Sequence, residues 1–199
     1  VSGNAEPAPG VQAARQLAAL GRVEIAPGLT DGEVARVERA FGFEFADDHR
    51  SFLQAGLPVG SRSWPDWRDG DAGDLRRRLD GPVDGVLFDV EHNGDWYPAW
   101  GPRPDDPRES LLIARRHLAR VPRMVPVYSH RYLPAGRGQF RHPVLSMHQT
   151  DIIVYGLDLA DYIGHEFGGP TVDQRGLDHG EVVTVEFWRD IVAWWGLSP

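Results

Sequence analysis

Leu29-Thr30-Asp31-Gly32-Glu33-Val34-Ala35-Arg36-Val37-Glu38-Arg39-Ala40-Phe41-Gly42-Phe43-Glu44-Phe45 is the stretch on which the fold reading turns. Thr30 and Glu33 stand at the spacing of a capping box, in which each side chain satisfies a backbone N–H of the other residue. Leu29 and Val34 flank it as a hydrophobic staple. Val34, Val37 and Phe41 then recur on one helical face, and Gly42 suits the left-handed residue that closes a helix. Asp47 to Ala55 reads as a second helix. Two acids lead it and complement its dipole, Phe52 and Leu53 give it an apolar side, and Gly56 stops it. Phe43 and Phe45 alternate between the two helices and plug their junction.

Toward the N-terminus, Val1 to Gly10 is rich in Pro, Ala and Gly and reads as disordered, with no basic or apolar region of a secretory signal. Val11 to Leu20 reads as a short helix. Residues 1–22 are therefore expected to form an N-terminal extension, and 23–199 a single domain ending in a Trp-rich helix. Toward the C-terminus, Leu57-Pro58-Val59-Gly60 turns the chain into a polar stretch containing Trp64 and Trp67. Asp74 to Leu79 reads as a short helix, Val86 to Val90 as a strand, Asn93-Gly94 as a turn and Trp96-Tyr97 as the start of a partner strand. Asp106-Pro107-Arg108-Glu109 signals another helix start, and that helix runs to Pro122. Met124–Tyr128, Val144–His148 and Ile152–Tyr155 read as strands, joined through linkers at His130–His142 and Gln149–Asp151. Leu157–Phe167 reads as a helix capped by Asp158. A last helix, Glu186–Trp195, carries Trp188, Ile191, Val192 and Trp195 on its apolar face. Helices flanking clustered strands joined by short turns predict an α+β fold rather than an alternating α/β one.

The 199 residues carry 21 basic and 29 acidic side chains, a formal net charge of -8, and every basic residue is arginine. Without lysine there is no Schiff-base chemistry and no P-loop lysine. Without cysteine there are no disulfides, thiolate zinc sites or Cys nucleophiles. Net acidity argues against a nucleic-acid binder, which needs a basic stripe. It suits steering toward a basic protein partner, with plain solubility as the other reading. No apolar run reaches the ~18 residues of a membrane span. The chain reads as cytoplasmic.

Two clusters are candidates for chemistry. His142 and His148, six apart in an expected strand, share a face with Asp151 just beyond and offer a metal site; the other reading is hydrogen-bonded structural histidines. Asp89, Glu91, His92 and Asp95 crowd the expected Asn93-Gly94 turn, the local density an acid–base pair needs, although acids at hairpin tips are commonly solvated. No nucleophile elbow or nucleotide-binding glycine fingerprint is present. No cofactor is expected.

Between Asp66 and Glu109 twelve acids face six arginines. Trp64, Trp67, Trp96, Tyr97 and Trp100 fall in or beside that stretch, where proline limits burial. Tryptophans rimmed by charge are the anatomy of an interface hot spot. The alternative is a small core with the indole N–H groups bonded to backbone. The candidate partner-binding residues are Trp64, Asp66, Trp67, Asp69, Asp71, Asp89, Glu91, Asp95 and Trp96.

The stretch from Leu29 to Gly42, followed by Phe43-Glu44-Phe45 and Asp48-His49-Arg50-Ser51-Phe52-Leu53, resembles the opening of the SUKH superfamily, the Smi/Knr-type group. Glu33, Glu38, Gly42 and Phe52-Leu53 stand where that pattern has them, while Ala46 replaces its usual proline at the second helix start. Gly85–Trp100 and His142–Phe167 resemble the long actinobacterial branch in texture. The resemblance implies an α+β fold with a central, mostly antiparallel β-sheet and helices packed against it, and a non-enzymatic role. Bacterial members are often immunity proteins that bind and neutralise a polymorphic toxin, commonly a nuclease, and fungal relatives regulate cell-wall synthesis. It carries over no catalytic or binding residue. The function expected is thus toxin neutralisation by direct binding, with a regulatory or scaffold role, or a metal-dependent enzyme, as the alternatives.

Overall fold

The capping box forms as its spacing predicts. In the computed structural model, which describes residues 8–173 and 185–196 (side chains to 193), Thr30 Oγ1 accepts from the Glu33 amide at 3.2 Å and a Glu33 carboxylate oxygen accepts from the Thr30 amide at 2.7 Å. In chain order the elements are α1 (Pro9–Leu20), β1 (Glu24–Ala26), α2 (Asp31–Phe41), α3 (Asp47–Ala55), β2 (Leu57–Val59), α4 (Ala72–His92), a 3-10 turn (Pro98–Trp100), α5 (Pro107–Leu118), β3 (Met124–Tyr128), β4 (Arg131–Pro134), β5 (Val144–His148), β6 (Asp151–Gly156), α6 (Leu159–Phe167) and α7 (Trp188–Gly196). This is an α+β fold with antiparallel sheets. The expected disorder of the N-terminus falls mostly on residues outside those described, as does the side chain of Trp195.

The four-stranded sheet runs β3-β4-β5-β6, antiparallel throughout, so each strand neighbours the next in sequence. Pro126 sits within β3, where its missing N–H is tolerated because β3 is an edge. Strand alternation divides the core in two. Val125, Val127, Leu133 and Val144 join a cluster with residues of α1, α2, α3 and α6; Met124, Leu145, Met147, Ile152 and Val154 join one with α5, α7 and the C-terminal half of α4. Strand β4 lies inside the expected linker His130–His142. Ser129 takes a left-handed backbone (φ 49°) and closes a tight β3–β4 turn that its sequence does not announce.

Helix α1 belongs to the body, so the chain is not divided at residue 22. Ala13 and Leu17 are fully buried, and α1 packs on α3 and α6. Its Gly10 lets the two backbones meet: a Cβ there would lie 1.8 Å from the Asp48 carbonyl oxygen.

The expected strand Val86–Val90 is instead helix, the second half of the 21-residue α4, and the Asn93-Gly94 hairpin does not exist. Leu75, Leu79, Pro82, Val86 and Val90 recur at three and four residues, one helical face that continues through a proline. Pro82 removes the hydrogen bond that the Arg78 carbonyl would otherwise accept. The buried Tyr132 hydroxyl, from β4, donates to that carbonyl at 3.0 Å and replaces it. Burial pushes the Tyr132 hydroxyl pKa up to about 12. Tyr132→Phe leaves the carbonyl unpaired and should lower stability by about 1–2 kcal/mol in urea unfolding. An unchanged midpoint would contradict this account of the proline.

His49 on α3 is buried with its ring edge against Phe45 and its Nδ1 without a hydrogen-bond partner among the described residues; burial drives its pKa down to about 3. A depressed histidine contributes stability that is complete above its unfolded pKa near 6.5 and is lost as pH falls toward the folded value. From pH 6.5 to 5.5 the loss should be about 1 kcal/mol, because the unfolded chain goes from half to nearly fully protonated there while the folded ring stays neutral. In His49→Phe that part of the slope should vanish; equal slopes in both proteins would refute it.

Candidate partner-binding site

Trp64 and Trp67 do not stand on the surface as anchors; both are core. Pro65 and the Asp66–Gly70 turn (Gly70 N–H to Asp66 C=O, 3.0 Å) fold the two rings under the chain. Trp67 is 2% exposed and meets Phe45 edge-on at 5.3 Å, with Phe41 and Phe43 beside it. Trp64 is 6% exposed, stacks on Phe167 at 5.5 Å and meets Tyr128 edge-on at 4.6 Å. The prolines expected to limit burial instead make the tight turn that permits it.

The expected acidic face is also divided. Asp66, Asp69 and Asp71 lie before the first turn of α4, whereas Glu91 and Asp95 lie at and beyond its last. A 21-residue helix is ~30 Å long, so these are separate surfaces.

At the far end the acids are structural. Asp89 is buried; its Oδ2 accepts from the Thr150 amide at 2.9 Å and lies 2.7 Å from the Thr150 hydroxyl, and its Oδ1 accepts from Asn93. Asp95 Oδ2 lies 2.7 Å from the same hydroxyl. Together they clamp α4 to the β5–β6 turn, where Gly85 passes so close that a Cβ would come within 2.9 Å of Gln149 Cα. His92 turns away to the Phe88 carbonyl and ring, so no His–Asp dyad assembles. Glu91 is exposed. Trp96 is half-buried, bonds the Gly101 carbonyl through its indole N–H and packs edge-on against Trp100.

The histidines are not brought together as metal ligands either. His142 precedes β5, is buried, and places Nε2 2.8 Å from Gln139 Oε1; burial lowers its pKa. His148 is exposed at the end of β5, opposite Asp151 in register. No group of three potential metal ligands occurs among the described residues, and no helix among them is long and apolar enough to cross a membrane.

At the α4 N-terminus the acids frame a cleft of about 570 Å³. Its apolar wall is Pro58, Val59, Trp64 and Leu75, and its charged lining is Arg62, Asp66, Asp71, Asp74 and Arg78. Asp71 caps α4 by accepting from the Asp74 amide at 2.8 Å, and Asp66 Oδ1 accepts from the Arg68 and Asp69 amides. Asp74 is neutralised by Arg77 and Arg78, which hold its carboxyl below the usual range. Beneath the turn Arg68 pairs with Glu33 at 2.6 Å and bonds the Pro27 and Gly28 carbonyls, tying the cleft rim to α2; that guanidinium, with Thr30, lowers the Glu33 carboxyl to about 2. The sequence reading named Trp64, Asp66 and Asp71 but missed Arg62, Asp74 and Arg78, and no local signal brings Pro58 and Val59 to them.

A second cleft, of about 360 Å³, lies between the 3-10 turn, α5 and α7, lined by Tyr97, Trp100, His117, Arg120, Phe187 and Asp190 among others. Tyr97 donates to Asp190 at 2.7 Å, and burial with that carboxylate raises the Tyr97 pKa to about 12. Searches of family models, of curated proteins and of solved structures find no match to this chain.

Proposed function

We propose that this chain is a non-enzymatic protein-binding module that captures a basic protein partner at the acid-rimmed cleft beside the α4 N-terminus. In the SUKH-type reading of its N-terminal helices, that partner is a toxin domain and the role is immunity by occlusion. The observation that carries the proposal is the rim itself. Asp66, Asp69 and Asp71 are exposed within one short stretch, and Asp66 and Asp71 line the cleft with its apolar wall, while the other acids of the run are largely paired, buried or distant. Clustered like charge raises the encounter rate with an oppositely charged surface, and an apolar wall gives the encounter complex something to bury.

The test is affinity capture by the full chain from the lysate of its source cell, read by mass spectrometry at low and moderate salt. The proposal expects one basic, nuclease-like protein that washes off as salt rises. A signalling or cell-wall protein held regardless of salt would favour the regulatory role instead.

A further inference from the structure

We propose that Arg131 is a receptor for an oxyanion, a carboxylate or phosphate group, and that Glu166 is the internal anion which that guest displaces onto Tyr162. The site shares no residue with the acid-rimmed cleft and does not depend on the binding role above. Register sets Tyr128, Arg131, Ser146 and Ile153 in one row across β3, β4, β5 and β6, and opposed residues of antiparallel strands share a face. Helix α6 covers only part of that row. Tyr128 meets Phe167 edge-on at 5.3 Å and Arg131 meets Glu166, whereas Ser146 is half-buried and Ile153 is 49% exposed.

Arg131 is 9% exposed and held in one orientation. Its guanidinium carbon lies 3.8 Å from the centre of the Tyr155 ring, and its Nη1 donates to Ser146 Oγ at 2.9 Å. The remaining edge, Nε with Nη2, is a fork that can grip a carboxylate or phosphate through two parallel hydrogen bonds. That fork makes no hydrogen bond to any described residue. Nε is buried 3.3 Å from Glu166 Oε2 but too far out of line to bond it. Nη2 has no partner either, is not among the buried unpartnered atoms, and so meets solvent.

Arg131 Nε, Glu166 Oε2 and the Tyr162 hydroxyl are all buried without a hydrogen-bond partner among the described residues. Buried polar groups are nearly always satisfied, so three exceptions in one place call for a common cause. Tyr162 and Glu166 stand one turn apart on one side of α6. Burial, then the nearby Glu166 carboxylate, raises the Tyr162 pKa, so the hydroxyl keeps its proton and stays a donor. One rearrangement satisfies all three atoms. The guest takes Nε and Nη2 of Arg131, and Glu166 turns to accept from the Tyr162 hydroxyl. Approach is from the open half of the row, where His148, two residues beyond Ser146 in β5, shares the face and is exposed. His130 lies close by: burial, then the charges of Arg131 and His148, lower its pKa. A cationic guest is repelled by the fixed guanidinium, and a neutral one does not displace the Glu166 charge.

The experiment titrates the full chain with inorganic phosphate and with acetate, against chloride at matched ionic strength, following the Nε–H signal of Arg131 by NMR. At least one of the two oxyanions should shift that signal saturably where chloride does not, and which one binds distinguishes phosphate from carboxylate. Glu166→Gln, which removes the competing internal charge, should bind that anion at least about fivefold more tightly. Tyr162→Phe, which removes the donor for the displaced Glu166, should bind it about tenfold more weakly. In chloride its urea midpoint should not fall, because the hydroxyl has no partner in the free chain. No saturable shift with either oxyanion, or an unchanged affinity in either variant, would overturn the proposal. A lowered urea midpoint for Tyr162→Phe would overturn it too, since the hydroxyl would then be engaged before any guest arrives. If Glu166→Gln does not fold, the two readings of Tyr162→Phe decide.

Discussion

Trp67→Ala should lower the free energy of unfolding by about 3–5 kcal/mol, the cost of a large cavity in a packed core. The ring is enclosed by Phe41, Phe43 and Phe45, all buried, and it is the centre of the aromatic cluster joining α2 to the turn before α4. Its indole N–H is buried without a partner among the described residues, so Trp67→Phe sheds that cost along with some volume and should be far milder. Urea unfolding of both variants decides between the two readings the sequence left open. An interface anchor would leave stability nearly untouched on truncation and lose binding only. A shift below about 1 kcal/mol for Trp67→Ala would return the residue to the surface reading.

Asp89→Ala should cost about 3 kcal/mol or more, because truncating a buried, hydrogen-bonded carboxylate strands each of its partners. The Thr150 amide has the Asp89 oxygen as its acceptor, and the Thr150 hydroxyl and the Asn93 amide group lose one each. The β5–β6 turn would then be released from α4, and the Thr150 and Gln149 amides should exchange with deuterium faster than those of β3. Thr150→Val, which keeps the amide bond to Asp89 and removes only the hydroxyl, should cost less than half as much. If Asp89→Ala is as mild as an exposed Glu91→Ala, the clamp does not hold the turn.

These two residues also mark where the sequence was legible and where it was not. Elements announced by signals within a few residues stand close to where they were expected. Thr30 and Glu33 delimit α2, paired acids and Gly56 delimit α3, Asp106-Pro107 opens α5, Asp158 caps α6, and runs of Val, Ile and Met mark β3, β5 and β6. Features decided by distant partners were misread. The Val-Leu-Phe-Asp-Val run ahead of Asn93-Gly94 reads as a strand; the helix passes through Pro82 because Tyr132, 54 residues beyond Arg78, supplies the donor that the Arg78 carbonyl lacks. Asp89 looks like a solvated turn acid because its partner Thr150 lies 61 residues on. The same rule holds at the candidate site. Asp66, Asp71 and Trp64 were identifiable from charge and aromatic density, but the division of the acids by the length of α4 was not.

That division is the centre of the functional account, because it leaves one acidic rim where the sequence suggested a continuous face. Its most direct test is the association rate constant for the captured partner, measured for the wild-type chain and for two variants. Asp66→Asn/Asp69→Lys/Asp71→Asn weakens the rim while keeping its caps; Asp84→Asn/Glu91→Lys removes exposed charge farther along α4. The account predicts association about tenfold slower for the rim variant at low salt, a difference that shrinks as salt rises, and a near wild-type rate for the other. Equal slowing by both variants, or no slowing by the rim variant, would contradict it.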